Sequence, residues 1–408
     1  MQDTNLYEYL LNLKSPWTIR TVNLDVKEQQ VDVWAVHPEG ISWECPECGK
    51  NLPLYDHVEE RAWRHLDSCQ FKTILHARIP RVECQEHGVK QAKVPWSESK
   101  SRFTLLFERM TIDVLKQCGV TGATKIMRIS WDEAWLIMKH AVERGQARKV
   151  KEVVPVIGVD EKAITKGHHY LTLVYNLMRG TVEYIAEDRK TESLKNYYQA
   201  LSKEQLDGIE AVAMDMWEPY MQATLACVPD AKGKIVFDRF HVMGYVGKAV
   251  DKVRKEEHRE RMKKGDKTLK GSKYLWLYNP ENIPDSRRSE FEGLRHLELK
   301  VGRAWAIKET LRRLWHFVYP ASGWKFWKKW YFWATHSQLK PMKEAAETLK
   351  RHIQNIVTYF QHQITNAMSE GINGKIQRIK KMANGFRNVE NFKTAIFFHC
   401  GGLDLYPH

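Results

Sequence analysis

The strongest constraint on the fold of this chain is the order of strand and helix patterns that begins at residue 153. Residues 153–160 (VVPVIGVD) form a nearly continuous apolar run, which is typical of a strand buried on both faces. The segments HHYLTLVYNL and TVEYIAED follow as two further strands of an antiparallel meander. Helix and strand patterns then alternate through IEAVAMDM and KIVFDRFH to a long basic helix. This order predicts an α/β fold, a mixed sheet covered by helices.

The chain beyond this segment is predicted to be almost wholly helical between residues 262 and 362. It carries several tryptophans, of which those from Trp324 to Trp333 recur every third residue and are most simply explained as core. The string QITNAMSEGINGKIQRIKKMANGF predicts one more amphipathic helix, and FKTAIFF closes the chain with another packed element.

Two pairs of potential ligands in the N-terminal quarter predict a metal site. CPEC separates Cys45 from Cys48 by two residues, and CQEHG separates Cys84 from His87 in the same way. Because tetrahedral Zn²⁺ accepts three thiolates and one imidazole, we expect one structural Zn²⁺ in a small β-rich module. Cys69 is an alternative fourth ligand, although a buried small side chain explains it more simply. Two unrelated pairs on surface turns are the alternative to zinc.

Residues 103–145 change to helical periodicity and predict three short helices. The first ends at Gly119, the second covers residues 121–127, and the third starts at Ser130 with Glu133 completing a capping box. We expect Trp131, Trp135 and Met138 to face inward. Three helices with tight turns suit a helix-turn-helix, and a generic helical spacer explains the pattern equally well.

The charge balance indicates a polyanionic partner. Lys and Arg number 64 and Asp and Glu number 50, which gives a net charge of +14. The surplus is clustered, so we favour nucleic acid over a protein that is merely basic. No apolar leader follows Met1, so a secreted or integral membrane protein is not expected. The seven cysteines do not resemble a disulfide scaffold, which favours a reducing compartment.

Three carboxylates occupy positions suited to catalysis. Asp160 ends the first strand and Asp215 ends the fourth, and ligand sites gather at such strand ends. If these two strands are neighbours, the carboxylates lie side by side and favour a divalent cation such as Mg²⁺ or Mn²⁺. Glu370, on a helix whose next turns are basic, is the candidate third ligand. For any one of them, a turn or helix cap is the simpler explanation.

Basic side chains near these positions are the candidate DNA-binding residues. On the helix of Glu370 and on the third helix of the predicted helix-turn-helix they are Lys375, Arg378, Lys380, Lys381 and Lys139.

The motifs resemble those of a known family. The string TNAMSEGINGKIQRIKKMANGFRNVENF around Glu370 is similar to the C-terminal signature of bacterial insertion-sequence transposases of the ISL3 family. CPEC and CQEHG resemble the zinc-binding domain of that family, residues 103–145 its helix-turn-helix, and VIGVDE and AVAMDMW its first two catalytic motifs. VFDRFHVMGYVGKAVDKVR is also similar to a family segment. His87 departs from the family, in which cysteine is more usual.

The resemblance implies a ribonuclease H-like catalytic domain with a large all-helical insertion between the second and third carboxylates. We therefore expect a zinc-binding domain at residues 1–100, a helix-turn-helix at 101–150, a catalytic domain at 151–245 and 363–408, and an insertion at 246–362. One exposed tryptophan of the insertion could stack on an extruded base. Asp238 and His241 are expected near the site, with a helix cap and a packed histidine as the simpler alternatives.

The resemblance also implies a mechanism, in which two Mg²⁺ or Mn²⁺ ions held by Asp160, Asp215 and Glu370 support DNA cleavage and strand transfer. The expected partner is double-stranded DNA at transposon ends and targets, bound by a homodimer or higher oligomer on the bacterial nucleoid. Two alternatives are a metal-dependent nuclease or resolvase that does not join ends, and a non-catalytic DNA-binding regulator. The regulator leaves the three carboxylates unexplained.

Overall fold

The computed structural model describes residues 3–164, 170–364 and 367–408, and the chain divides into two compact units. The first unit contains the chain through Lys149 together with Lys381–Gly385 and Glu390–His408, and the second contains Val150–Lys380 and Phe386–Val389. His168 and His169 of the predicted second strand, and Thr365 and Asn366 of the last signature, lie outside the described residues. Within the described ranges, no helix combines the length and apolar character needed to cross a bilayer.

The first unit begins with a short helix and a strand-rich module. Its elements are α1 (Asp3–Leu10), β1 (Thr18–Asp25), β2 (Gln30–Val36), β3 (Ser42–Glu44), β4 (Asn51–His57), β5 (Arg61–Ser68), β6 (Phe71–Ala77), β7 (Pro80–Cys84) and β8 (Gly88–Gln91). They form two sheets of order β1-β2-β6-β5 and β3-β4-β7-β8. Val33, Trp63, Leu75 and Val82 are buried in their common core.

The segment from Phe71 to Cys84 forms two strands in different sheets. β6 pairs with β2 and β5, whereas β7 pairs with β4 and β8. The chain changes sheets just before Pro80, which lacks an N–H and is therefore tolerated at the first position of a strand.

Three helices follow, α2 (Leu105–Gln117), α3 (Val120–Met127) and α4 (Trp131–Arg148), as predicted. Thr104 caps α2, and Ser130 and Glu133 form the expected capping box of α4. Met138 is buried, and Trp135 is half-buried against the same core. The prediction for Trp131 is wrong, because this residue is 46% exposed and stacks on the outer side of Trp135. A ring in the first turn of a helix can project beyond the core that the following turns cover.

The sheet of the second unit has the predicted mixed topology. Its strands are β9 (Val156–Ala163), β10 (Tyr170–Asn176), β11 (Thr181–Glu187), β12 (Ala211–Met214) and β13 (Ile235–Phe237), in the order β11-β10-β9-β12-β13. The first three strands form the antiparallel meander, and β12 runs parallel to both β9 and β13. The helices between them are α5 (Thr191–Gln199), α6 (Lys203–Asp207) and α7 (Glu218–Cys227).

The predicted helical block packs on the same core as this sheet. Its helices are α8 (Arg239–Met262), α9 (Lys273–Leu277), α10 (Asp285–Arg295), α11 (Lys300–Leu311), α12 (Pro320–Thr335), α13 (Lys340–Arg351), α14 (Ile353–Val357) and α15 (Tyr359–His362), with 3₁₀ turns at Ala231–Gly233, Pro280–Asn282 and Arg312–His316. Trp327 and Trp330 are buried, and the Trp330 Nε1–H donates to the Ile307 carbonyl at 2.8 Å. Of the four tryptophans from Trp324 to Trp333, only Trp333 is largely exposed, at 41%.

The last two helices are α16 (Ala367–Met382) and α17 (Val389–Cys400). Ile372, Ile376 and Ile379 form the buried face of α16, and Glu370 lies in its first turn. We expected residues 363–408 to belong wholly to the catalytic domain, but Phe398 and Leu405 pack into the core of α2–α4. The amphipathic pattern of α17 predicts that one of its faces is buried. The pattern does not predict against which helices that face packs.

Candidate active site and zinc centre

The register of two parallel strands brings Asp160 and Asp215 to one edge of the sheet. In the β9–β12 pair, Gly158 lies opposite Ala213, and each aspartate follows two residues later. The expectation that the first and fourth strands are neighbours is therefore confirmed. Carboxylates at adjacent strand ends repel each other unless a cation or a proton lies between them.

A cavity of about 440 Å³ opens at this edge. The predicted residues that line it are Asp160, Asp215, Asp238, His241 and Glu370. Glu370 lines the cavity from the first turn of α16. Among the described residues, the three carboxylates do not form a cluster with all ligand atoms within 4.8 Å of one another, as the zinc ligands do.

Asp160 is held by neighbours that the sequence did not single out. The Asn373 side-chain amide donates to Asp160 Oδ2 at 2.6 Å, and the Glu161 backbone N–H donates to Oδ1 at 2.7 Å. The Tyr175 hydroxyl in turn donates to Asn373 Oδ1 at 3.1 Å. Asn373 follows Glu370 by three residues, so both side chains lie near one face of α16. The spacing of three residues from Glu370 was the sequence signal that could have placed Asn373 at the site.

Asp215 is the side chain in this cavity whose environment most clearly fits a cation. In the described part of the chain its Oδ1 atom is buried and has no hydrogen-bond partner. Burial raises the pKa of Asp215 to about 6, and Glu161 and Asp160 push it in the same direction against the opposing effect of His241. Buried polar atoms normally have partners, and an unpaired carboxylate oxygen matches the oxygen ligands that Mg²⁺ prefers.

Glu161, next to Asp160, is engaged elsewhere. Its carboxylate forms an ion pair with Arg189 at 3.1 Å. The Arg189 guanidinium lies over the rings of Tyr170 and Trp217 at 4.2 and 4.6 Å, and the Trp217 Nε1–H donates to the Arg189 carbonyl at 3.0 Å. The arrangement ties the end of β9 to the segment after Asp215, and it leaves Asp160 as the carboxylate of GVDE that faces the cavity.

Asp238 combines the two interpretations that the sequence left open, whereas His241 fits only a position near the site. Asp238 caps α8 by accepting the Phe240 N–H at 2.8 Å, and it also lines the cavity. His241 is not packed, since its side chain is 42% exposed, and its Nε2 lies 3.6 Å from Asp238 Oδ2.

The zinc ligands of the first unit lie together. Ligand atoms of Cys45, Cys48, Cys84 and His87 all fall within 4.8 Å of one another. Cys48 Sγ lies 3.8 Å from Cys84 Sγ, and His87 Nδ1 lies 3.5 Å from Cys84 Sγ and 3.9 Å from Cys45 Sγ. A tetrahedral site with zinc–sulfur bonds of about 2.3 Å has ligand edges of roughly 3.8 Å. The four side chains therefore fit a structural Zn²⁺.

Both interpretations of Cys69 are wrong. It lies outside the ligand cluster and is exposed, with a φ of 49° in the turn between β5 and β6. The pairing of Ser68 with Phe71 places Cys69 and Gln70 at the hairpin tip, where they point to solvent. His87 is the fourth member of the cluster, and its hydrogen bond lowers the pKa of the Cys84 thiol to about 6.

The candidate DNA-binding residues are mostly free to contact a ligand. Lys375, Arg378 and Lys381 are exposed on α16. Lys380 is half-buried, and its ammonium donates to the carbonyl of Ala163 at 3.2 Å. Lys139 is exposed on α4, with Glu143 at 3.8 Å.

Comparison with known proteins gives matches along nearly the whole chain. A transposase model of the ISL3 family matches residues 157–396. The zinc-finger model of transposase IS204/IS1001/IS1096/IS1165 matches residues 41–87, and the helix-turn-helix domain of transposase family ISL3 matches residues 92–142.

Two similar proteins align with this chain over most of their own length. The chain is 25% identical to the transposase for insertion sequence element IS1001 of Bordetella parapertussis, over 85% of this chain and 86% of that protein. It is also 25% identical to the transposase for IS1557 of Mycobacterium tuberculosis, over 96% of this chain and 94% of that protein.

Proposed function

Because this chain belongs to the ISL3 family of insertion-sequence transposases, we propose that it binds the terminal inverted repeats of an insertion sequence, cleaves DNA at its ends and transfers the 3′-hydroxyl strands into target DNA. The observation that carries the catalytic part is the position of Asp160 and Asp215, each two residues beyond the last residues that pair β9 with β12, with an unpartnered Asp215 oxygen at a cavity that Glu370 also lines.

The fold that we assign to the second unit is ribonuclease H-like. The support is an antiparallel three-stranded meander whose first strand is central and is followed by two parallel strands. The helices α8–α15 stand between the second and third carboxylates, at the place where the family resemblance puts an insertion.

Asp160, Asp215 and Glu370 would hold Mg²⁺ or Mn²⁺. Bound there, the ions would stabilise the developing charge on the attacking and leaving oxygens of an in-line phosphoryl transfer. The residues of the chain position that chemistry. Asn373 fixes the orientation of the Asp160 carboxylate, and the Glu161–Arg189 ion pair engages the carboxylate next to it in the chain.

DNA binding is assigned to two surfaces. The helix-turn-helix of α2–α4, with Lys139, is the candidate reader of the repeats, and the exposed Lys375 and Arg378 of α16 are candidate phosphate contacts beside Glu370. We further propose that the protein acts as a dimer or higher oligomer on the bacterial nucleoid, since two transposon ends must be joined together.

The test is incubation of the purified chain with Mg²⁺ and DNA carrying the element's ends, followed by strand-resolved mapping of cuts and joins. We expect Asp160→Ala, Asp215→Ala and Glu370→Gln each to abolish cleavage while end binding is retained. Asp207→Asn, an exposed carboxylate at the end of α6, is the matched control and should be fully active.

The outcomes separate the alternatives. Metal-dependent cutting without joined products would identify a nuclease or resolvase. End binding without cleavage, in Mg²⁺ or Mn²⁺, would identify a DNA-binding regulator. Normal turnover by any of the three carboxylate variants would remove that residue from the site.

A further inference from the structure

A second and larger cavity adjoins the carboxylate cavity. Its volume is about 780 Å³, and it runs along α8. Asp238, Phe240 and Glu370 line both cavities, so a ligand can pass from one to the other. We call this space the α8 cavity. Its size is in the range of ligand pockets and is too small to admit a DNA duplex.

The lining of the α8 cavity carries more cations than carboxylates, and its carboxylates are Asp238, Asp251 and Glu370. Its cationic side chains are Arg239, Lys248, Lys255, Lys273, Lys308 and Arg312. Lys255, Lys308 and Arg312 are engaged by carboxylates of the protein.

The remaining three cations have no such partner. Among the residues that the structure describes, Arg239, Lys248 and Lys273 form no ion pair, although Arg239 lies over the ring of Trp315 and Lys273 over that of Tyr274. Three uncompensated cations around one cavity favour an anionic ligand with spaced charges, such as a phosphodiester backbone.

The floor of the α8 cavity is open because two glycines lie one turn apart on α8. Gly244 and Gly247 both line the cavity, and a Cβ atom at either position would meet nothing within 4 Å. Alanine stabilises a helix interior more than glycine does. No neighbouring atom requires glycine at either position, because there is space for a side chain. The missing side chains leave room for a ligand to approach the helix backbone.

Phe240 supplies an aromatic surface where the two cavities meet. Phe240 is 69% exposed, and its ring lies perpendicular to that of His241 with the ring centroids 5.9 Å apart. An exposed ring among free cations is the combination that single-strand binding sites use, because every base offers a face for stacking.

We propose that the α8 cavity binds a single strand of DNA next to the scissile phosphate. Phe240 stacks on a base, and Arg239, Lys248 and Lys273 contact the phosphates along the glycine-lined helix face. The inference rests on the proposed function, because it takes the carboxylate cavity as the place where the phosphodiester is cut.

Binding of a short oligothymidine carrying one 5-iodouracil tests the stacking contact, with the full chain in EDTA so that nothing is cleaved. We expect Phe240→Leu to weaken binding about 5- to 150-fold and to remove a photocrosslink at residue 240. Phe332→Leu is the matched control, because Phe332 is 64% exposed outside the cavity. Equal affinities for both variants, or a crosslink elsewhere only, would overturn the proposal.

Substitutions of the cations and of the glycine face test the proposal independently of Phe240. Lys248→Gln with Lys273→Gln should reduce the slope of log affinity against log salt by about 1.4, at about 0.7 for each phosphate contact. The exposed pair Lys328→Gln with Lys329→Gln removes the same charge elsewhere and should change it less. Gly247→Leu should block binding without lowering the melting temperature. If the two lysine pairs behave alike and Gly247→Leu binds normally, the α8 cavity is not the site.

Failure of this inference can be told from failure of the proposed function. Asp160→Ala should bind the oligonucleotide normally while cutting nothing. If cleavage requires the carboxylates but the α8 variants bind normally, only the α8 assignment is wrong. If the α8 variants lose binding while the native chain cuts no DNA, the cavity binds single strands and the proposed function is wrong.

Discussion

The two candidate metal sites of this protein are built in opposite ways. In the zinc centre, four ligands from two turns are already within 4.8 Å of one another. In the carboxylate cavity, Asp160, Asp215 and Glu370 come from elements up to 210 residues apart, and one buried oxygen has no partner among the described atoms. The first site completes a fold, whereas the second places uncompensated charge where a substrate must enter.

The difference concerns stability. A module as small as the zinc-binding one has a modest core, so the ion supplies much of its folding free energy. A buried carboxylate without a partner instead costs stability that the surrounding core must offset. The same substitution strategy, removal of one ligand, should therefore have opposite effects on folding at the two sites.

The largest effect is expected for Cys84→Ser. Structural Zn²⁺ binding contributes about 10 kcal/mol or more in zinc-finger peptides, so loss of a thiolate should release the ion and unfold the module. Metal analysis should show about one zinc per chain for the native protein and none for the variant. Cys69→Ser is the control and should keep both zinc and stability, because Cys69 is exposed outside the cluster. Zinc loss in Cys69→Ser, with retention in His87→Ala, would contradict the ligand assignment.

The next effect concerns acid stability in the same unit. His65 is buried and hydrogen-bonded to Thr104 at 2.9 Å, and burial, aided by Arg64, lowers its pKa to about 4 from the usual 6.5. The fold thus favours the neutral ring. This stabilisation is complete above pH 6.5 and is lost as the pH falls towards 4. The loss of free energy of unfolding amounts to roughly 2–3 kcal/mol at pH 4.5.

Denaturant unfolding of the native chain and of His65→Gln at pH 7 and 4.5 checks this expectation. The variant should lose less free energy of unfolding over that interval, while zinc release in acid affects both proteins alike. Identical losses would show that zinc alone sets the acid sensitivity of the first unit.

The opposite sign is expected for Asp215→Asn. In EDTA the variant should be more stable than the native chain by about 1–3 kcal/mol, because a buried negative charge with one unpaired oxygen is removed. Mg²⁺ should raise the melting temperature of the native chain and leave that of the variant unchanged. Asp207→Asn, at an exposed site, should follow the native response. A destabilised Asp215→Asn with an undiminished Mg²⁺ response would make Asp215 a structural residue and remove the contrast between the two sites.

Much of both sites was accessible from the sequence, for physical reasons. A continuous apolar run that ends in aspartate predicts a central strand, and β9 is central in its sheet. The predicted strand end is wrong for Asp160, because β9 continues to Ala163 through its pairing with β10, and only the pairing with β12 stops before Asp160. The zinc ligands were predictable because two residues between ligands is the spacing that a turn allows. Both signals are local in the chain.

The features that the sequence did not reveal depend on tertiary contacts. β4 and β5 contain Pro53, Asp56 and Arg64 and bury few side chains, so their apolar alternation is weak. The last helix, α17, is amphipathic, but no local pattern tells that it packs against α2–α4. Asn373 is an ordinary polar helix residue until the fold brings it to Asp160.

Asn373 also gives the smallest predicted effect. Its amide donates to Asp160 and accepts from Tyr175, so Asn373→Ala leaves Asp160 free to rotate. Loss of such an outer contact costs about 10- to 100-fold in activity or metal affinity, and Tyr175→Phe, which leaves the amide in place, should cost less. Gln377→Ala, at an exposed position one turn further along α16, is the control.

The measurement is the rate of end cleavage as a function of Mg²⁺ concentration. If Asn373 orients a metal-binding carboxylate, the rate of Asn373→Ala should recover in part at high Mg²⁺, while affinity for the transposon end is unchanged. Weaker end binding with a normal Mg²⁺ dependence would instead make Asn373 a DNA contact. Asp160 would then hold its orientation without the hydrogen bond from Asn373. In that respect the carboxylate site would resemble the zinc centre more closely.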